Sequence, residues 1–97
     1  MPGARELSRR AIIVVEEQTW FLYIVRCQGG ALYTGITNDV EKRVEKHNEG
    51  RGSKFTAGRK PVDLVYVEKN LSQRSARIRE AEIKKWRREK KEELIEG

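Results

Sequence analysis

Apolar and polar positions change their spacing several times along the 97 residues. From Trp20 to Cys27 the chain reads WFLYIVRC, aromatic or β-branched at most positions, and the QGG that follows ends the run; this predicts a strand entering a hairpin turn. Residues 31–37, ALYTGIT, form the return strand, with Gly35 marking a place where another backbone or a ligand comes close. A helical spacing takes over in residues 39–48. Asn38 or Asp39 serves as its cap, Glu41 completes a capping box if Asn38 is the cap, and Gly50 ends it. Residues 49–61, EGRGSKFTAGRKP, are broken by glycines and predict a mobile surface loop. Residues 62–68, VDLVYVE, are apolar almost throughout, as in a strand covered on both faces. Ser72 caps a long helical stretch, QRSARIREAEIKKWRREKKEELIEG, with a break near Arg88 dividing it in two. Strand, strand, helix, strand, helix gives an α/β (α+β) domain around a three-stranded, mainly antiparallel sheet over residues 18–97. Residues 1–17 read as an N-terminal extension, in which Ala11–Val15 suits either an extra strand or a short packing helix.

A chain of this length holds one core and hence one domain. Lys+Arg 21 against Asp+Glu 15 leaves a formal charge of +6, which points to a polyanionic partner. The single cysteine, Cys27, excludes an internal disulfide and sits in an apolar run, fitting a buried thiol in a reducing cytoplasm. The Ala11–Val15 run is too short for a signal-peptide core or a membrane span, so a soluble, cytoplasmic protein is expected. One histidine excludes His-rich and Cys/His metal sites, and no phosphate-binding loop ending in Lys-Ser/Thr occurs. Metal chemistry would therefore use carboxylate oxygens.

Several residues break the patterns that place them. Val40, Arg43, Val44 and His47 share one helix face, and two valines require that face to pack on the sheet. The ordinary account makes Arg43 a snorkelling side chain and His47 a boundary residue. Ala76, Glu80, Ile83 and Arg87 line a face of the long helix, with a carboxylate between two apolar residues; its ordinary account is an ion pair with Lys84. Tyr23 and Tyr33 lie inside apolar strands, and each needs a partner for its hydroxyl. A three-residue loop of Gln28, Gly29 and Gly30 sets Cys27 opposite Ala31 and Val25 opposite Tyr33, placing both phenols on one face. A two-residue loop would slip the pairing by one and separate them; the longer loop is expected.

Two phenols, a guanidinium, an imidazole and a carboxylate meeting over one sheet face would suit phosphodiester hydrolysis. A carboxylate holds a divalent cation such as Mg²⁺, which neutralises phosphate and lowers the pKa of bound water. Arginine grips the non-bridging oxygens of the transition state, and a phenol or imidazole orients or deprotonates water.

At these residues the chain resembles the GIY-YIG nuclease family, and more narrowly its short, stand-alone, UPF0213-like bacterial and archaeal members. The resemblance covers roughly residues 19 to 95. FLY (21–23) and YTG (33–35) match the two signatures, followed in order by GITNDVEKRVEKHNEGRGSKFTAGRKPVDLVY and REAEIKKW. Phe21 replaces the glycine of the first signature and Thr34 the isoleucine of the second, and nothing matches the polar residue, often asparagine, that some members place after the glutamate. The resemblance implies a small sandwich with a central three-stranded antiparallel sheet flanked by helices. It implies Tyr23 and Tyr33 as paired phenols, Arg43 as the phosphate-binding arginine, His47 as an auxiliary acid/base, and Glu80 as the ligand of Mg²⁺ or Mn²⁺; Glu82 is the control.

The activity implied is metal-dependent cleavage of DNA by an endonuclease, with a place in DNA repair or recombination. Phosphate contacts would come from Arg51, Lys54, Arg59 and Lys60 in the loop and from the long helix, Lys84 and Lys85 above all, with Arg74, Arg77, Arg87 and Arg88 beside them. Such contacts bind without reading sequence, so branched, nicked or single-stranded DNA is the expected substrate, with a protein partner as a further source of specificity. A monomer or weak dimer is expected. The competing readings are a nucleic-acid-binding module of the same fold that does not cleave, and a structural or ribosome-associated protein.

Overall fold

The computed structural model describes residues 19–97. The extension 1–17 lies outside the described residues. Strands β1 (Trp20–Arg26), β2 (Leu32–Thr37) and β3 (Asp63–Asn70) form one antiparallel sheet in the order β2-β1-β3. Four helices accompany it among the described residues: α1 (Val40–Asn48), α2 (Lys54–Ala57), α3 (Gln73–Lys84) and α4 (Arg88–Glu96). The α+β class and the three-stranded antiparallel sheet agree with the sequence reading, as does the break between α3 and α4 at Arg88.

Asp39, rather than Asn38, caps α1, its carboxylate accepting from the Lys42 N–H at 3.1 Å. Gly50 follows the helix end at φ +83°. Ser72 caps α3 with a reciprocal bond from Ser75. The central strand presents two faces to two cores. On one, Tyr23, Val25, Cys27 and Val62 pack with Ala31, Tyr33 and Val44. On the other, Leu22, Ile24 and Ile83 pack with Trp86, Leu94 and Ile95 of the C-terminal segment. Each of those three is fully buried, contributing about 1.5–3 kcal/mol.

Residues 62–68 are not covered on both faces. β3 is an edge strand, and Leu64 and Val67 are each 42% exposed. The doubly covered strand is β1. A bulge pairs Ile24 with Tyr66 but Val25 with Leu64, and it turns the adjacent Val65 and Tyr66 both toward the second core. That local break in alternation makes the segment read as a buried strand.

The loop 49–61, expected as a mobile surface loop, is anchored at several points. It contains α2, and the Asn48 side chain clamps its far end, accepting from Val62 N–H at 2.6 Å and donating to Val62 O at 3.3 Å. The C-terminal helix is tied to the hairpin by Arg26, which donates twice to Glu92 at 2.9 and 2.8 Å. Arg88 donates to Gly30 O at 2.6 Å and pairs with Glu92, so this cation holds α4 in place.

Candidate active site

The hairpin decides where the phenols go. Cys27 N–H donates to Ala31 O at 2.7 Å, Gly30 N–H donates to Cys27 O at 2.9 Å, and Gly29 and Gly30 take φ of +90° and +100°. This is the three-residue loop, with Val25 opposite Tyr33 and Tyr23 opposite Gly35. Tyr23 and Tyr33 consequently share a face, ring centroids 6.5 Å apart. What comes close to Gly35 is the Tyr23 side chain: a Cβ at position 35 would lie 2.6 Å from the phenol oxygen and 2.8 Å from Cζ.

His47 is not a boundary residue. It is fully buried, with Nε2 2.7 Å from the Tyr23 hydroxyl and Nδ1 2.7 Å from Thr56 Oγ1. Thr56 Oγ1 also lies 2.9 Å from Ser53 Oγ and 3.3 Å from Ser53 O, and the tautomer in which Nδ1–H donates to Thr56 leaves Nε2 to accept from the Tyr23 O–H. The line of hydrogen bonds thus runs from Tyr23 through His47 to Thr56. Burial raises the Tyr23 pKa, helped by Tyr33 and Glu80 and opposed by Arg43. Burial, then Arg43, lowers that of His47. Both shifts hold the pair neutral.

A histidine with a lowered folded pKa binds fewer protons than the unfolded chain, so stability falls as pH drops below its ordinary 6.5 toward the folded value. The slope approaches at most about 1.4 kcal/mol per pH unit, several degrees of melting temperature in a domain this size. His47 is the only histidine. Melting curves between about pH 7.5 and pH 5 are expected to show this loss in the wild type and a flatter profile in His47→Gln; equal slopes would contradict the assignment.

Arg43, partly buried on α1, exerts its charge on both Tyr23 and His47, yet pairs with no carboxylate among the described residues. It opens into a cleft lined by Thr37, Asn38, Asp39, Lys42 and Lys46. Glu80 lies on α3, which packs against the sheet through Ala76 and Ile83. Its side chain is 22% exposed and pairs with Lys84 at 3.1 Å, so the ordinary account of this carboxylate holds. Lys84 Nζ in turn stands 5.7 Å from the centre of the Tyr33 ring, and the Glu80 charge acts on Tyr23. Glu82 pairs instead with Arg79. The fold therefore brings Tyr23, Tyr33, Arg43, His47 and Glu80 into one neighbourhood.

Among the described residues no group of three or more His, Cys, Asp or Glu is placed to hold a metal. Both nitrogens of His47 are engaged, leaving the Glu80 carboxylate as the donor beside the phenols. One hard oxygen ligand, completed by water and phosphate oxygens, fits Mg²⁺ or Mn²⁺.

Lys54, Arg59, Lys60 and Lys85 are exposed, whereas Arg51 is engaged by Glu49 and Lys84 by Glu80. Thr56 and Gly52 escaped the sequence reading. Thr56 caps the imidazole from α2, and the Gly52 backbone lies so close to the His47 ring that a Cβ there would overlap Nδ1, Cγ and Cε1. The only sequence signal for Thr56 is its spacing from Ser53, the cap of α2.

The family model for the GIY-YIG catalytic domain matches residues 19–93. UPF0213 proteins of Staphylococcus aureus strains Mu50 and N315 are each 53% identical over 75 residues, covering 77% of this chain and 92% of theirs. The solution NMR structure of a UPF0213 protein from Bacillus halodurans is similar with a TM-score of 0.53 and 41% identity, over 80% of this chain and 83% of that one.

Proposed function

The chain belongs to the GIY-YIG catalytic-domain family, a nuclease family, and from that premise we propose that it is a divalent-metal-dependent DNA endonuclease, selective for structure rather than sequence and acting in DNA repair or recombination in the cytoplasm. No helix among the described residues is long and apolar enough to cross a membrane. The observation carrying the reading is the Arg43 guanidinium, unpaired among the described residues, whose charge acts on the Tyr23 phenol together with that of the Glu80 carboxylate.

Arg43 binds the non-bridging oxygens of the scissile phosphate through paired donors, and its hold tightens as charge accumulates there. Tyr33, partly exposed, orients the attacking water. Water adds to phosphorus, the P–O bond to the leaving oxygen breaks, and that oxygen takes a proton from solvent water. The proton lost by water leaves through the phenols, Tyr23 passing its own along its hydrogen bond to Nε2 of His47. Glu80 would hold the cation, which supplies neutralisation of the phosphate and stabilisation of the leaving oxygen. Lys54, Arg59, Lys60 and Lys85 contact flanking phosphates, and a protein partner adds specificity.

The test is strand nicking in Mg²⁺ or Mn²⁺ on branched, nicked and single-stranded DNA. Arg43→Ala is expected to lower the rate roughly 10²–10³-fold with a melting temperature within a few degrees of wild type. Arg43→Leu retaining the wild-type rate would show that the side chain serves packing. The second reading, a binding module that does not cleave, draws on two observations: Lys84 neutralises Glu80, and Tyr23 is only 2% exposed. Binding without nicking by the wild type would establish it.

A further inference from the structure

Phe55 is 38% exposed on α2, an aromatic left in water on a loop otherwise rich in cations. Its ring stacks on Tyr33 with centroids 5.9 Å apart and planes inclined by 25°. The Arg59 guanidinium carbon lies 4.0 Å from the centre of the same ring. Main-chain bonds fix this guanidinium: it donates to Phe55 O at 2.6 Å, while Arg59 N–H donates to Thr56 O at 3.0 Å and Arg59 O accepts from Gln28 N–H at 2.8 Å. Arg59 has no carboxylate partner among the described residues. Three planar groups, Tyr33, Phe55 and Arg59, thus form a series leading outward from the candidate active site, flanked by the exposed cations Lys54 and Lys60.

Burial does not account for Phe55, because a residue kept for the core would not remain more than one-third exposed. Structural capping does not account for Arg59, because the carbonyl bond could be made without lying over a ring. Aromatic and guanidinium planes beside positive charge are the elements that hold an unstacked nucleobase between its phosphates. We propose that the exposed outer plane of the Arg59 guanidinium, backed by the Phe55 ring, forms a stacking site for one unpaired nucleobase next to the scissile phosphate. The inference deepens the nuclease reading and rests on it for the word scissile. Bases inside a duplex have both faces covered and cannot enter without being flipped out. The site therefore selects strands with an unpaired nucleotide beside the cut: a flap, a branch or a single strand.

The test uses the full chain in EDTA, where binding is measured without cleavage, and short oligonucleotides carrying one 2-aminopurine scanned through a single strand or past a branch point. Wild type is expected to quench the probe at one position, Phe55→Trp to retain the quench, and Phe55→Ala to lose it and bind single strands about ten-fold more weakly with little change on blunt duplex. An abasic nucleotide at the quenched position should weaken wild type by a similar factor and Phe55→Ala no further. Equal quenching by Phe55→Ala, equal losses on duplex and single strand, or indifference of wild type to the abasic site would each overturn the proposal; the last holds even if Phe55→Ala does not fold. Base-dependent quenching without any nicking in Mg²⁺ removes the nuclease reading and leaves the stacking site standing. Nicking with Phe55→Ala unaltered in substrate preference does the reverse.

Discussion

Glu80→Ala is expected to abolish metal-dependent nicking, by roughly 10³-fold or more, while Glu82→Ala stays within about two-fold of wild type. The two carboxylates lie two positions apart on α3, and their surroundings differ sharply. Glu80 sits between the buried Ala76 and Ile83, and its charge acts on Tyr23. Glu82 is bound to Arg79, which also pairs with Glu68 on the β3 side. Among the described residues Glu80 belongs to no group of three or more ligand-type side chains that could hold the cation in its place. The folding cost should be small, since an i,i+4 pair with Lys84 contributes only about 0.3–0.5 kcal/mol. Nicking rates, melting temperatures and Mn²⁺ titration by calorimetry would separate the cases. Glu80→Ala that keeps its rate and its Mn²⁺ affinity would end the metal assignment.

Gly52→Ala is expected to be among the most destabilising single changes that add only a methyl group. Its Cβ would overlap the imidazole of His47, which is fully buried and bound at both nitrogens. Relieving the overlap means shifting the loop or breaking the bonds to Tyr23 and Thr56. Overpacking and an orphaned buried polar group together cost about 2–4 kcal/mol, or roughly 10–20 °C of melting temperature in a domain of this size. Gly58→Ala is the control, because among the described residues nothing beyond its chain neighbours lies within 4 Å of a Cβ there. Thermal melts of the two variants side by side decide the matter. If Gly52→Ala melts with Gly58→Ala, the packing of the loop on His47 is looser than described.

Much of the fold was legible because its signals are local. The QGG turn set the register of the hairpin and hence the shared face of the two phenols, and Ser72 announced α3. The face holding Arg43 and His47 followed from helical spacing alone. What failed to show was non-local. β3 reads as covered on both faces because its bulge turns consecutive residues inward, and only the strand order reveals it as an edge. The loop 49–61 reads as mobile because its anchors, Thr56 to His47 and Asn48 to Val62, join positions with no common period. Charge alone could not separate Arg59, free of any carboxylate among the described residues, from Arg51 and Arg88, whose guanidinium groups meet Glu49 and Glu92. Residues 1–17 lie outside the described residues.

Thr56 belongs to the short helix that also carries Phe55, and it grips the imidazole that receives the Tyr23 hydroxyl. On the proposed reading, base recognition and proton transfer share this one segment, so grafting it from a relative would transplant pace together with preference. A chimera that altered choice of DNA and left speed untouched would contradict that reading.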